Sequence, residues 1–131
     1  MIVAPLPPQE IDKHWRALAW AFENFEERTG GDISAEYLRN EVRGARRQCW
    51  VAFDGQPWGV ALTEIVGPDR RLWLDYCAGR NREGWQDLMM AEIEAFAERE
   101  KCAGIKIFCR SGWTKFLRGR GYRETHRILE M

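Results

Sequence analysis

The chain has 131 residues, and its 20 Lys plus Arg balance 20 Asp plus Glu to a formal net charge of +0. This length suits one domain over residues 1–131 with a real hydrophobic core. The charge balance excludes a global field and argues against nucleic acid as a partner. No apolar run approaches the ~20 residues that span a bilayer, and the N-terminus lacks signal-peptide features, so a cytoplasmic protein with no membrane partner is expected.

Cysteine and histidine usage predicts no metal site and no disulfide framework. The cysteines stand at positions 49, 77, 102 and 109 without any C-x-x-C spacing, and the two histidines lie far apart. Cysteines of a cytoplasmic protein are more often small buried apolar groups than disulfide partners. Cys77, which precedes a glycine turn, is the one whose reactivity is of interest.

The first third of the chain predicts a short strand and two helices. The strand covers residues 2–3 and is ended by prolines at positions 5, 7 and 8. A helix then begins at Gln9, with an apolar stripe of Ile11, Trp15, Leu18, Phe22 and Phe25, and ends at Gly30-Gly31. Ser34 is a predicted N-cap for a shorter helix that places Tyr37, Leu38 and Val42 on one face and ends at Gly44.

The middle and the end of the chain predict strands around a long helix. Residues 49–53, 58–66 and 71–77 are rich in β-branched and aromatic side chains, and turn signals separate them, so an antiparallel meander is expected. Helical periodicity follows Gly84, with Trp85, Met89, Ile93 and Phe96 on one side and acidic residues on the other. A buried strand over 105–109 then runs parallel to the preceding strand. A short helix over 113–118 and a last strand over 122–129 complete the chain.

The turn between residues 77 and 84 is the place where local chemistry suggests a ligand. A strand passes through a turn that carries glycine and arginine into the long helix. Unpaired N–H groups and the positive end of the helix dipole point at one spot there. Such a spot suits a phosphate group.

This order of elements resembles the GCN5-related N-acetyltransferase family over essentially the whole chain. The resemblance implies an α/β fold with a mixed central sheet flanked by helices, and a cleft where the fourth and fifth strands splay apart. It also implies acyl transfer from acetyl-coenzyme A to an amine of a small molecule or a protein. Members often dimerise, so a homodimer is a fair expectation.

Two family motifs map onto this sequence with departures. The pyrophosphate turn, Arg/Gln-x-x-Gly-x-Gly/Ala, matches at Gly84, while Asn81 and Gln86 occupy the outer positions. The resemblance implies coenzyme contacts from Tyr76, Cys77, Ala78, Arg80, Arg82, Gly84 and Trp85, with Trp85 expected to crowd the diphosphate. In the second motif, Gly121-Tyr122 matches, but Leu117 stands where a tyrosine often serves as general acid. Arg110 replaces the asparagine that commonly precedes that tyrosine by seven residues.

Asp75 and Glu64 are the candidates for the general base. Each interrupts an otherwise apolar strand, where a buried carboxylate has a raised pKa and can work near neutrality. Alternatively, each lies on a partly exposed sheet face or pairs with Arg71 or Lys106. Two-residue alternation places Trp73 and Cys77 on the face of Asp75.

A second class of function follows from the departures and from the charge distribution. Basic residues crowd the last quarter of the chain, whereas the long helix is acidic, and the simplest interpretation is a solvated face balanced by its neighbour. A degenerate member that keeps the scaffold and acts as a protein-binding or assembly module, of phage or prophage origin for example, fits the same sequence.

Overall fold

The computed structural model describes residues 1–108 and 111–125. In this part of the chain one sheet has the order β1-β2-β3-β4-β5. Its strands are β1 (Ile2–Leu6), β2 (Gln48–Phe53), β3 (Pro57–Val66), β4 (Arg71–Gly79) and β5 (Gly104–Ile107). The first four strands are antiparallel neighbours and β5 runs parallel to β4, so the predicted meander and parallel return are confirmed.

Helices cover both faces of the sheet. They are α1 (Trp15–Arg28), α2 (Ala35–Arg43), α3 (Gln86–Arg99) and α4 (Thr114–Gly119). One apolar cluster lies between the sheet and α3, and includes Trp50, Met89 and Ile93. The other lies between the sheet and the α1–α2 pair, and includes Phe22, Phe25 and Leu38. We call these two sides of the sheet the α3 face and the α1 face.

The N-terminal segment departs from prediction in two ways. Strand β1 continues through Pro5 to Leu6, because β1 lies at the sheet edge and a proline there can direct its missing N–H outward. The first α-helix begins at Trp15, not at Gln9. Pro8–Glu10 instead forms a single 3-10 turn after consecutive prolines, and Ile11 reaches the core from the turn that follows.

Helix α2 shows the predicted caps but a different buried face. The Ser34 hydroxyl accepts a hydrogen bond from the Tyr37 N–H at 3.0 Å, and Gly44 follows the last helical residue. Leu38 and Val42 are buried, whereas 51% of Tyr37 is exposed. The prediction for Tyr37 was therefore wrong, because this side chain lies just outside the stripe that meets α1.

The C-terminal quarter is less strand-like than predicted. The residues of β5 are half-buried, since β5 is an edge strand, and the predicted extension to Cys109 lies outside the described residues. Helix α4 begins one residue later than predicted. Residues 122–125 form no strand, because Tyr122 turns back to donate its N–H to the Leu117 carbonyl. The remainder of the predicted last strand, 126–129, lies outside the described residues.

We expect the substitution Ser34→Ala to lower the free energy of unfolding by about 1 kcal/mol, because it removes the side-chain acceptor at the start of α2. Urea denaturation followed by circular dichroism measures the change. Ser34→Asn is the matched control, since asparagine keeps an acceptor and should restore stability to within a few tenths of a kcal/mol. Equal losses in both variants would contradict the capping role.

Candidate functional site

Strand β4 carries one extra residue at Asp75. In the register with β3, Leu62 pairs with Tyr76 and Thr63 pairs with Leu74, so Asp75 has no partner. The pairing with β5 ends at the same place: Leu74 pairs with Ile107, and the Phe108 N–H donates to the Leu74 carbonyl at 2.9 Å. Within the described residues, the rest of β4 has no strand on that side. This β-bulge is where the sheet opens into the expected cleft.

The bulge also exchanges the two faces of β4. Leu72 and Leu74 belong to the cluster on the α3 face, whereas Ala78 belongs to the cluster on the α1 face. Cys77 packs on the α3 face and Tyr76 on the α1 face. The expectation that Cys77 shares the face of Asp75 was therefore wrong, because simple alternation does not survive an inserted residue.

Asp75 and Glu64 meet at one guanidinium, that of Arg47. Its Nη1 donates to Asp75 Oδ1 at 2.7 Å, and its Nη2 donates to Glu64 Oε1 at 3.2 Å. Its Nε lies 3.7 Å from Glu41 Oε1, and its plane covers the Tyr76 ring with 5.3 Å to the ring centroid. Only 9% of the Arg47 side chain is exposed.

The partners predicted for these carboxylates lie elsewhere. Arg71 pairs with Asp69, and the Lys106 ammonium lies over the Trp73 and Phe108 rings. Arg47 was not predicted, because it stands in the basic run Arg46-Arg47 before β2, which resembles a solvated turn. A polar residue placed one position before a buried strand was the only signal available.

Burial sets the electrostatics of the two carboxylates. It raises the pKa of Asp75, and the hydrogen bond from Arg47 opposes that rise. Burial also raises the pKa of Glu64, with Arg47 opposing and the nearby carboxylates of Asp75 and Glu41 adding to it. For Arg47, burial disfavours the charge, but its carboxylate partners more than compensate and hold its pKa above the usual value. A carboxyl group with a raised pKa is suited to accept a proton near neutrality.

The turn from β4 into α3 is built on a buried indole. Asn81 adopts a left-handed conformation with φ 54°, residues Arg82–Gly84 form a 3-10 turn, and Gly84 donates its N–H to the Asn81 carbonyl. Trp85 is 1% exposed, and its indole N–H donates to the Arg80 carbonyl at 2.8 Å. The side chain of Trp85 therefore points into the core and not out of the turn.

Two glycines make room for that indole. Gly59 and Gly79 pair across β3 and β4, and a Cβ on either would lie 2.6 Å from a Trp85 ring atom. The bulky residue after Gly84 is thus accommodated from below. The first turn of α3 keeps the unpaired N–H groups expected of any helix start, those of Gln86, Asp87 and Leu88.

Arg80 and Arg82 flank this helix start. The Arg80 guanidinium carbon lies 5.8 Å from the centroid of the Trp58 ring, and that of Arg82 lies 5.9 Å from the centroid of the Trp113 ring. Neither arginine forms an ion pair with a carboxylate of the described residues. Both are exposed, so two positive charges are available to an anion beside the helix N-terminus.

The three residues before Gly79 contribute unequally to the open edge of β4. The Arg80 N–H donates to the Trp58 carbonyl, so alternation directs the backbone groups of Ala78 and Tyr76 to β3 and those of Cys77 to the cleft. The Cys77 carbonyl accepts a hydrogen bond from Arg28 of α1. Among these three residues, the Cys77 N–H is therefore the donor that faces the opening.

The second motif region holds no tyrosine acid at the expected position. Leu117 is buried in the apolar cluster under α4. The Tyr122 hydroxyl donates to Glu94 of α3 at 2.8 Å, and burial together with that carboxylate raises its pKa. Arg120 contacts Asp87 and Glu94, so this part of the basic region is balanced by α3 as expected. Arg110 lies outside the described residues.

Searches for other kinds of site add little. Over residues 1–108 and 111–125, no three His, Cys, Asp or Glu side chains are grouped as metal ligands would be. In the same part of the chain, no helix has the length and apolarity that crossing a membrane requires.

The fold is that of the GCN5-related N-acetyltransferases. A probable acetyltransferase superposes with a TM-score of 0.78 at 14% identity over 100% of this chain and 96% of its own. A GCN5-related N-acetyltransferase from Ralstonia eutropha gives 0.72 at 13% identity, with 99% and 97% covered. A predicted acetyltransferase from Clostridium acetobutylicum, solved with acetyl-CoA, gives 0.73 at 14% identity, with 99% and 94% covered. No family model and no curated protein sequence matches the chain.

We expect Gly79→Ala to destabilise the protein by about 2 to 3 kcal/mol, because overpacking a rigid site forces the backbone or a ring to move. The new methyl group would lie 2.5 Å from the Trp58 carbonyl oxygen and 2.6 Å from the Trp85 ring. Gly104→Ala in β5 is the matched control, since nothing lies within 4 Å of its Cβ position. Thermal unfolding compares the two, and similar melting temperatures would disprove the indole socket.

We expect the Cys77 and Cys49 thiols to resist alkylation at pH 8. Burial raises the pKa of each thiol to about 12, so the reactive thiolate is scarce. Cys102, a half-buried residue after α3, serves as the internal comparison. Peptide mapping after iodoacetamide treatment of the folded protein should find Cys102 modified first, and early modification of Cys77 would contradict the burial argument.

Proposed function

We propose that this protein is an N-acyltransferase that moves an acetyl group from acetyl-coenzyme A to an amine of a small molecule or a protein. The observation that carries the proposal is the bulge at Asp75, which opens β4 from β5 beside a pair of buried carboxylates. Structures with the same fold include one that holds acetyl-CoA.

The residues at the start of α3 fit a coenzyme diphosphate. Unpaired N–H groups and a helix dipole favour negative charge there. The side chains of Arg80 and Arg82 add two positive charges that no described carboxylate neutralises. The indole of Trp85 is directed into the core, which leaves the outer side of the Gly84 turn open. The N–H of Cys77 would serve the amide groups of the coenzyme arm along the cleft.

Acetyl-coenzyme A would supply an activated acyl group as a thioester. The protein's part is to bind the coenzyme at the turn, to present the cleft to an incoming amine, and to take the proton which that amine loses. Asp75 and Glu64 are placed for the last task, since both border the opening of the sheet. Because the coenzyme thiolate is a tolerable leaving group, the absence of a tyrosine at Leu117 lowers the expected rate without preventing transfer.

The rival proposal is a binding or assembly module that has kept the scaffold. The observations in its favour are Leu117 in place of the acid and a pyrophosphate turn that matches the family at one glycine. Coenzyme binding discriminates between the two proposals, because a module has no need of it.

We expect acetyl-CoA at millimolar concentration to raise the melting temperature, because a ligand that binds only the folded state stabilises it. Differential scanning fluorimetry makes the measurement. Replacing both arginines, Arg80→Gln with Arg82→Gln, should weaken coenzyme binding at least about tenfold, since each lost charge-assisted hydrogen bond is worth about 1.5 kcal/mol or more.

The matched control is Arg99→Gln. Arg99 also lies over an aromatic ring, that of Phe96, but at the far end of α3. Its loss should leave coenzyme affinity unchanged. An unchanged melting temperature of the unmodified protein with acetyl-CoA would favour the module, and light scattering after size-exclusion chromatography would then test its assemblies.

A further inference from the structure

Arg47 has an unusual environment for a buried arginine. Three carboxylates from three different elements surround its guanidinium: Glu41 of α2, Glu64 of β3 and Asp75 of β4. Arg46 contacts Glu41 from outside, with 62% of its side chain exposed. Counting both arginines, the cluster still carries one more negative than positive charge. A buried group of this kind relieves its excess charge by binding a proton.

The two carboxylates at the cleft share Arg47 in a specific way. Asp75 takes one terminal nitrogen and Glu64 takes the other, so each carboxylate keeps a second oxygen that is free of this contact. The Glu64 side chain is 27% exposed and that of Asp75 is 18% exposed, so both remain reachable from the opening. A planar guanidinium can hold two carboxylates in one plane, whereas an ammonium is a point charge.

We propose that Arg47 is a positioning residue that joins Asp75 and Glu64 into one proton-accepting unit for the attacking amine. This inference rests on the proposed N-acyltransferase function and adds to it a residue and a mode of action. It concerns how the proton is held, so it can be tested without knowing the acceptor.

The step balances as follows. The amine nitrogen uses its lone pair to form a bond to the thioester carbonyl carbon, and the carbon–sulfur bond breaks with its electron pair leaving on sulfur. The proton lost by the amine nitrogen goes to the free oxygen of Asp75 or Glu64. Arg47 then strengthens its hydrogen bond to the carboxylate that stays charged. The proton finally reaches the thiolate, which gives a free thiol and restores both carboxylates.

Other charged groups face the pair and set the background of its titration. Glu41 adds negative charge from α2, and the Tyr76 hydroxyl, whose own pKa burial raises, lies on β4. Arg46 compensates Glu41 from the solvent side. None of these groups bridges the two carboxylates, which is the role assigned to Arg47 alone.

The first experiment is a carbon-13 NMR titration of the side-chain carboxyls in the whole protein without ligand. Because the two groups interact, each signal should report two steps in the unmodified protein. In Arg47→Lys, which keeps the positive charge, the steps should separate, and the proton affinity of at least one carboxyl should change by about tenfold, or one pH unit. Arg47→Met should raise the pKa of both groups further.

The matched control is Arg46→Met, which removes the adjacent guanidinium but leaves the bridge. It should shift either titration by less than a third of the change seen in Arg47→Lys. If Arg47→Met does not fold, Arg47→Lys decides, with its circular dichroism spectrum as the check. Single-step, independent titration of Asp75 and Glu64 in the unmodified protein would overturn the inference.

The second experiment measures acetyl transfer to putrescine, used as a probe amine, across pH. The acidic limb of the rate should follow the NMR steps and move with Arg47→Lys but not with Arg46→Met. A limb that stays in place in Arg47→Lys would overturn the inference while leaving the N-acyltransferase proposal intact. Coupled titration in a protein that neither binds acetyl-CoA nor transfers its acetyl group would overturn the proposed function, and the assigned role of Arg47 with it.

Discussion

The insertion of one residue at Asp75 is the constraint on which the rest of this structure depends. Strands β3 and β4 pair on both sides of it, so the extra residue cannot be absorbed by sliding the register. It is absorbed locally, by a kink that ends pairing with β5 and reverses the faces of β4. The opening of the sheet and the placement of a carboxylate beside that opening are therefore two consequences of the same irregularity.

The turn that follows β4 shows how a departure in one place is compensated in another. A small residue after Gly84 would let backbone and ligand approach closely, yet this chain has Trp85 there. The space has been made in the sheet instead, where Gly59 and Gly79 face each other under the ring. An indole buries about 150 to 250 Å² of surface, so the exchange gives the turn a firm base. The indole N–H also fixes the carbonyl of Arg80, one of the two arginines beside the helix start.

Much of the fold could be predicted from the sequence, and the parts that could not have identifiable physical reasons. The periodicities of α3 and of the meander depend on local spacing, and both were confirmed. The bulge was missed because alternation assumes a residue-by-residue register, which only the partner strand determines. Arg47 was missed because its burial depends on carboxylates that are distant in sequence. The late start of α1 follows from consecutive prolines, whose effect extended further along the chain than the apolar stripe indicated.

The net charge of +0 conceals a separation of charge along β4. At Asp75 the strand borders a cluster in which carboxylates outnumber guanidiniums. At Arg80, five residues and roughly 15 Å of extended chain further on, it enters a turn with two unpaired arginines. An amine that approaches as an ammonium ion and a coenzyme that carries phosphates have opposite charges. A strand that is acidic at one end and basic at the other would attract each to its own end of the cleft. The orientation of the two substrates would then be set before any group on either one reacts.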